Sequence, residues 1–172
     1  VELWRSDGTT GGTVRVKNIN PGAAGSNPGQ FALMGSYLYF TATTAAEGTE
    51  LWRTDLTTGG TTLVKNIEAG DSSSDPTSLQ VINGALYFNA TTAASGRELY
   101  QSDGTSGGTN ILKEICAGIC HALPSGLFLL PDNTTMLFSA TDRYKGIELW
   151  ATDGTAANTR LLQDLWSGPS SS

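Results

Sequence analysis

The segment ELWRSDGTTGGTVRVKNI at Glu2–Ile19 returns as ELWRTDLTTGGTTLVKNI from Glu50, as ELYQSDGTSGGTNILKEI from Glu98 and as ELWATDGTAANTRLLQDL from Glu148, at spacings of 48, 48 and 50 residues. A fixed period of this length belongs to propellers and other repeat arrays, because so small a unit has an apolar face that only a neighbouring unit can cover. Composition alone would suggest something plainer. A chain of 172 residues, 38% hydrophobic, could bury one ordinary core.

Each period reads as four short strands. Ser78–Ile82 is a short apolar run, Asn83-Gly84 is a tight hairpin signal, and Ala85–Ala90 alternates aromatic and small residues, so the three form an antiparallel hairpin. A turn then leads into Glu98–Tyr100, the loop QSDGTSGGT crosses over, and NILKEI supplies the last strand. The same grammar fits FALM-GS-YLYFTA before it and LFLL-PDNTT-MLFSA after it, and the longer hairpin of the latter accounts for the step of 50. Pro28, Pro76 and Pro124 share one phase at the approach to the first strand, where a missing N–H is tolerated. No stretch has helical periodicity. The expected fold is all-β: four-stranded antiparallel sheets resembling propeller blades, about three and a half of them, in a single repeat array over 1–172. The half unit spans 1–27 and the full units 28–75, 76–123 and 124–172. A chain that starts inside a repeat reads as a processed protein or a piece of a longer one.

In such an array Leu3, Leu51, Leu99 and Leu149, with Phe40, Phe88 and Phe138, belong between blades. The aromatics Trp4, Trp52, Tyr100 and Trp150 recur in all four copies, which suits inter-blade packing; a sugar-stacking platform is the alternative. The repeated segment resembles the ELWxxDGT repeat, a module found in arrays in large secreted and cell-surface proteins, over nearly the whole chain. That resemblance implies location and architecture and carries no settled enzymatic activity. The S/T-x-D-G-T loop also resembles, in part, the Asp-box of sialidase-like propellers, without its closing aromatic.

Ten Lys and Arg stand against 16 Asp and Glu, a net charge of −6, and the basic residues are scattered. Nucleic acid and anionic membrane surfaces are therefore not expected partners, since both need a positive patch, and no apolar run is long enough to insert in a membrane. With 23 Thr, 16 Ser and 21 Gly but four Lys and one His, the balance is that of a secreted β-rich surface protein.

Asp7, Asp55, Asp103 and Asp153 share one phase and are followed by Gly8, Leu56, Gly104 and Gly154. They are read as turn caps rather than calcium ligands, because no further acidic residues alternate with them. Leu56 in the glycine place implies a different turn or a strained one. Glu2, Glu50 and Glu98 are expected to pair across strands with Lys17, Lys65 and Lys113, while Gln163 leaves Glu148 to another partner. Cys116 and Cys120 decorate a variable loop beside His121 and are expected to form a local disulfide; they are too few for a structural zinc site. The sequons at Asn133 and Asn89 are candidate glycan acceptors in a eukaryotic host, and the threonines of TATTAAEG and NATTAASG candidate O-linked sites on outward turns.

No catalytic constellation, metal site or cofactor site emerges. The leading expectation is a non-enzymatic extracellular structural or adhesive protein, a protomer of a fibre or surface appendage that stacks on copies of itself or on further repeats of a parent chain, burying Leu3 and Trp4 at one end and Leu149 and Trp150 at the other. A carbohydrate-binding propeller module is the alternative, and a sugar-active propeller enzyme stands behind it.

Overall fold

A computed structural model of the chain describes residues 1–165. All regular structure in it is β. One two-stranded sheet holds β1 (Leu3–Arg5) and β2 (Val14–Lys17). Three four-stranded sheets follow: β3 (Gly29–Met34), β4 (Tyr37–Thr44), β5 (Gly48–Thr54) and β6 (Thr62–Lys65); β7 (Thr77–Ile82), β8 (Ala85–Thr92), β9 (Gly96–Ser102) and β10 (Asn110–Ile111); β11 (Ser125–Leu129), β12 (Met136–Thr141), β13 (Ile147–Thr152) and β14 (Arg160–Gln163). Each is an antiparallel meander in sequence order, so every sheet is one repeat. The first sheet corresponds to the third and fourth strands of the others.

Register is kept from blade to blade. Phe40 faces Trp52, Phe88 faces Tyr100 and Phe138 faces Trp150 across the two central strands, with Ala42, Ala90 and Ala140 opposite Glu50, Glu98 and Glu148. Strand alternation then sorts each sheet into two apolar faces. One face carries the Phe, Ala and Trp or Tyr positions; the other carries Leu51 or Leu99, Tyr39 or Tyr87, and Val64 or Leu112. The aromatic face of each sheet packs on the leucine face of the sheet before it. Phe40, Ala42 and Trp52 thus meet Leu3, Val16 and Ile19. Leu86, Phe88 and Tyr100 meet Tyr39, Leu51 and Val64, and Phe138 and Trp150 meet Tyr87, Leu99 and Leu112. The core is therefore three joints in series, each built from two neighbouring repeats.

The loops between sheets also bond forward. The carbonyls of Ser26, Ser74 and Ala122 accept the N–H groups of Thr43, Thr91 and Thr141, each at 2.8 Å, tying each loop to the second strand of the next blade.

Candidate functional site

The inter-blade joint is the chemically distinctive part of the molecule, and its polar centre is a buried carboxylate. In the three complete sheets the Glu that opens the ELW segment lies on the third strand, in phase with the buried aromatic two residues on, so it points into the joint. Glu50 and Glu98 are fully buried and Glu148 nearly so. Their partners are not the lysines. Glu50 accepts the N–H groups of Ile67, Glu68 and Ser74 and the Ser74 hydroxyl, at 3.1, 3.2, 3.1 and 2.6 Å. Glu2 accepts from Ile19 N, Asn20 N and Ser26 Oγ at 2.8, 3.2 and 2.7 Å. Glu98 has Ile115 N and Cys116 N at 3.1 and 2.9 Å, but the residue that matches Ser26 and Ser74 is Ala122, so no hydroxyl reaches it. Among the described residues Glu148 accepts only from Leu165 N, at 3.3 Å. Glu2, Glu50 and Glu98 thus gather the loops that lead to the next blade.

These bonds compete with burial, and the balance differs by copy. Burial opposes ionisation of Glu2, yet the Ser26 hydroxyl and the Ile19 and Asn20 amides hold its carboxyl below the usual range. At Glu50 burial outweighs the matching donors and one more, the Ser74 N–H, and raises the carboxyl. At Glu98 burial, set against two backbone donors and reinforced by the Glu114 carboxylate, pushes the group up to about 7. Glu98 lacks both of the donors that Ser74 gives Glu50, since Ala122 has no hydroxyl and its N–H is turned to Arg97 O at 2.9 Å.

The expected Glu–Lys pairs are therefore corrected, because the lysines reach across to the next blade. Lys17 Nζ donates to Thr61 O at 2.6 Å, Lys65 Nζ to Thr109 O at 2.6 Å and Asn110 Oδ1 at 3.2 Å, and Lys113 Nζ to Thr159 O at 2.5 Å. An ammonium can bond a carbonyl at the surface without desolvation, whereas a carboxylate at the sheet centre needs rigid donors beside it. The single ion pair among the described residues is Lys145–Asp142, at 3.7 Å within one loop.

The aspartates form a second repeated device at the opposite end of the third strand. Oδ1 of Asp7, Asp55, Asp103 and Asp153 accepts both the N–H and the hydroxyl of Thr9, Thr57, Thr105 and Thr155, all between 2.6 and 2.9 Å. The bonds to these threonines lower all four carboxyls. Gly12, Gly60 and Gly108 allow the approach, since a Cβ there would stand 1.9 to 2.1 Å from the aspartate oxygen. In the fourth copy Asn158 replaces that glycine and donates its own Nδ2 to Asp153 Oδ2 at 2.6 Å. Leu56 keeps the turn of its counterparts instead of adopting another, at φ 68° against 88° to 90° for Gly8, Gly104 and Gly154, so the sequence departure is taken up as strain.

Trp52, Tyr100 and Trp150 are 7%, 4% and 7% exposed, inside the joints, while Trp4, on the outer face of the first described sheet, is 57% exposed. Leu3, Leu51 and Leu99 are 6%, 0% and 3% exposed, while Leu149, on the outer face of the last sheet, is 41% exposed. The expectation of four packed aromatics thus fails at Trp4. Leu3 and Trp150 are already buried within the chain, so they are not the residues a neighbour would cover. Of the four repeated aromatics that could form a sugar-stacking platform, Trp4 alone is at the surface.

Cys116 and Cys120 are joined in a disulfide, with Cα atoms 5.6 Å apart. It shapes the loop whose amides hold Glu98. His121 Nδ1 accepts Arg97 N at 2.9 Å, the same bond that Ser73 Oγ makes with Thr49 N, which accounts for the histidine structurally. Asn133 lies exposed at a hairpin tip with φ 56°. Asn89 is buried and donates Nδ2 to Pro124 O at 2.8 Å, so a folded chain has no room for a glycan there. The threonine turns are also less outward than expected, since Thr44 is buried and Thr43 bonds Thr49. The turn-capping aspartates, the aromatic positions and the cysteines were visible in the sequence. The carboxylate cradle was not, although a Glu sharing the phase of a buried aromatic, with Ser 24 residues on in two copies, is its trace.

No protein-family model matches the chain, and no curated protein matches it. Among solved structures it is similar to the computationally designed Ika8 protein, at 16% identity and a TM-score of 0.44. The likeness covers 92% of this chain and 42% of that one.

Proposed function

We propose that this chain is an extracellular structural or adhesive repeat protein, a non-enzymatic protomer of a larger assembly whose end faces are covered by copies of itself or by further repeats of a longer parent chain. The observation that carries the reading is the contrast between equivalent positions: Trp4 at 57% exposure where its three counterparts are at 7% or less, and Leu149 at 41% where its counterparts are at 6% or less. The chain exposes one aromatic face and one leucine face, and these are the two surfaces that meet in each of its three internal joints. A contact between such unlike faces propagates in one direction, giving a filament or a ring. The disulfide suits an oxidising exterior, as does the resemblance to arrays of surface proteins.

Impermeant biotin labelling of intact source cells, with electron microscopy of the released material, tests this reading. It expects a labelled chain within ordered assemblies. A chain found unlabelled inside cells as a monomer overturns it.

A further inference from the structure

We infer that the third joint, between the sheets of β7–β10 and β11–β14, holds a binding site for a small carboxamide: an amide group on a short apolar stem. Both sheets that enclose it are complete. A cavity of about 130 Å³ opens to solvent there, with Leu99, Leu127 and Phe138 in its apolar wall and Ser78, Asn89 and Gly126 among its polar members. An apolar cavity of roughly 150 Å³ takes a benzene molecule, so this one has room for a ligand of a few heavy atoms.

The second joint, between the sheets of β3–β6 and β7–β10, shows what such a space accepts. The first strand of each four-stranded sheet has a register shift at which one residue turns left-handed: Gln30, Ser78 and Gly126, at φ 53°, 58° and 67°. In the second joint Gln30 reaches across, and its Oε1 accepts Ser78 N at 3.1 Å. One repeat on, Ser78 stands in the place of Gln30, Gly126 in that of Ser78 and Ser125 in that of Thr77. A serine side chain ends two bonds before a glutamine's carboxamide oxygen, so the amide group laid across the second joint has no counterpart in the third. The cavity also supplies the other half of what an amide needs. Asn89 is 7% exposed, and its Nδ2 donates to Pro124 O at 2.8 Å. A carbonyl only accepts, so that bond fixes which end of the Asn89 amide is which. Its Oδ1 is left in the cavity wall as an acceptor with no donor among the described residues. A carboxylate ligand would set its charge against that oxygen, and a hydrocarbon would leave both polar groups unanswered. An amide answers both, its carbonyl accepting the Gly126 N–H as Gln30 accepts that of Ser78, and its own N–H donating to Asn89 Oδ1, with the apolar stem against Phe138 and Leu127.

The site belongs to the single chain and does not rest on the assembly reading. Titration of the full chain with isobutyramide, followed by two-dimensional amide NMR, is expected to move the Gly126 backbone amide and the Asn89 side-chain amide together. The dissociation constant should be on the order of 1 mM, as suits so small a ligand. Isobutyrate, which has the same shape but no N–H to donate, should bind at least about tenfold more weakly. Ser78→Gln restores the glutamine of the second joint, at a backbone conformation that Gln30 already adopts, and should fill the cavity from within. Binding to that variant should fall at least about tenfold, and its Gly126 amide without ligand should resonate near the isobutyramide-bound position of the parent. L-Glutamine added as a competitor separates two sources of the same chemistry: displacement of isobutyramide supports the site as one for the free amino acid, and failure to displace it supports a simpler amide. No shift at Gly126, equal binding of isobutyrate, or undiminished binding by Ser78→Gln overturns the proposal.

Discussion

Replacing Ala122 by Ser should give the third carboxylate cradle the hydroxyl donor that the first two have, as in the first cradle, where the serine N–H likewise bonds a backbone carbonyl. In the two cradles that have it, the serine hydroxyl lies 2.7 and 2.6 Å from a carboxylate oxygen. A hydrogen bond to a charged group contributes about 1.5 to 3 kcal/mol, and 1.36 kcal/mol moves a pKa by one, so the Glu98 carboxyl should fall by about one to two. In the parent chain the group rises from an ordinary 4.5 to about 7 on folding. The folded state therefore binds the extra proton, and this contribution to stability is fully present below 4.5 and lost as pH rises through 7. The whole swing is about 3 kcal/mol. The variant should be nearly as stable as the parent at pH 4, where Glu98 is protonated in both, and more stable by about 1.5 to 3 kcal/mol at pH 8. Urea unfolding at a series of pH values measures it, and taking variant minus parent cancels the similar titration of Glu50. A stability difference that does not change between pH 4 and pH 8 would refute the account of the cradle.

Leu56→Gly relieves a left-handed leucine worth about 1 to 2 kcal/mol against about 0.5 to 1 kcal/mol of added chain entropy, so chemical denaturation should show a net gain of about 0.5 to 1 kcal/mol; a loss would mean the Leu56 side chain contributes packing that outweighs the strain. Lys65→Met removes the clasp on Thr109 and Asn110 and should cost about 1 to 2 kcal/mol, while Lys145→Met at the loop ion pair should change stability by under about 0.5 kcal/mol; equal effects would contradict the distinction. When the chain is secreted from a eukaryotic cell, peptide mapping after glycosidase treatment should find glycan at Asn133 and none at Asn89 in the folded product, and an occupied Asn89 would show that its bond to Pro124 is dispensable.

The period, the hairpin dipeptides and the alternation in 78–90 made the all-β array and the blade limits legible, since they report local geometry. The turn aspartates were legible for the same reason: the threonine they bind is two residues away. What escaped was set by contacts 17 to 44 residues distant. Glu50 and Lys65 look like cross-strand partners in the strand pattern, yet one finds Ser74 and the other Thr109. Asn89 reads as an acceptor sequon, and only the fold reveals Pro124 above it. Trp4 has the same neighbours in sequence as Trp52, yet among the described residues no sheet packs on its face, a difference the repeat itself does not mark.

The claim that the two end faces are made for each other is tested most directly by complementation. Native chain purified from its source should associate, by sedimentation velocity, in a concentration-dependent way. Trp4→Lys spoils one face and Leu149→Lys the other, so each variant alone should sediment as a monomer. Mixed in equal amounts they still offer one intact face of each kind, and the account predicts a dimer and nothing larger. A native chain that is monomeric at every concentration, or variants that assemble as it does, would contradict it.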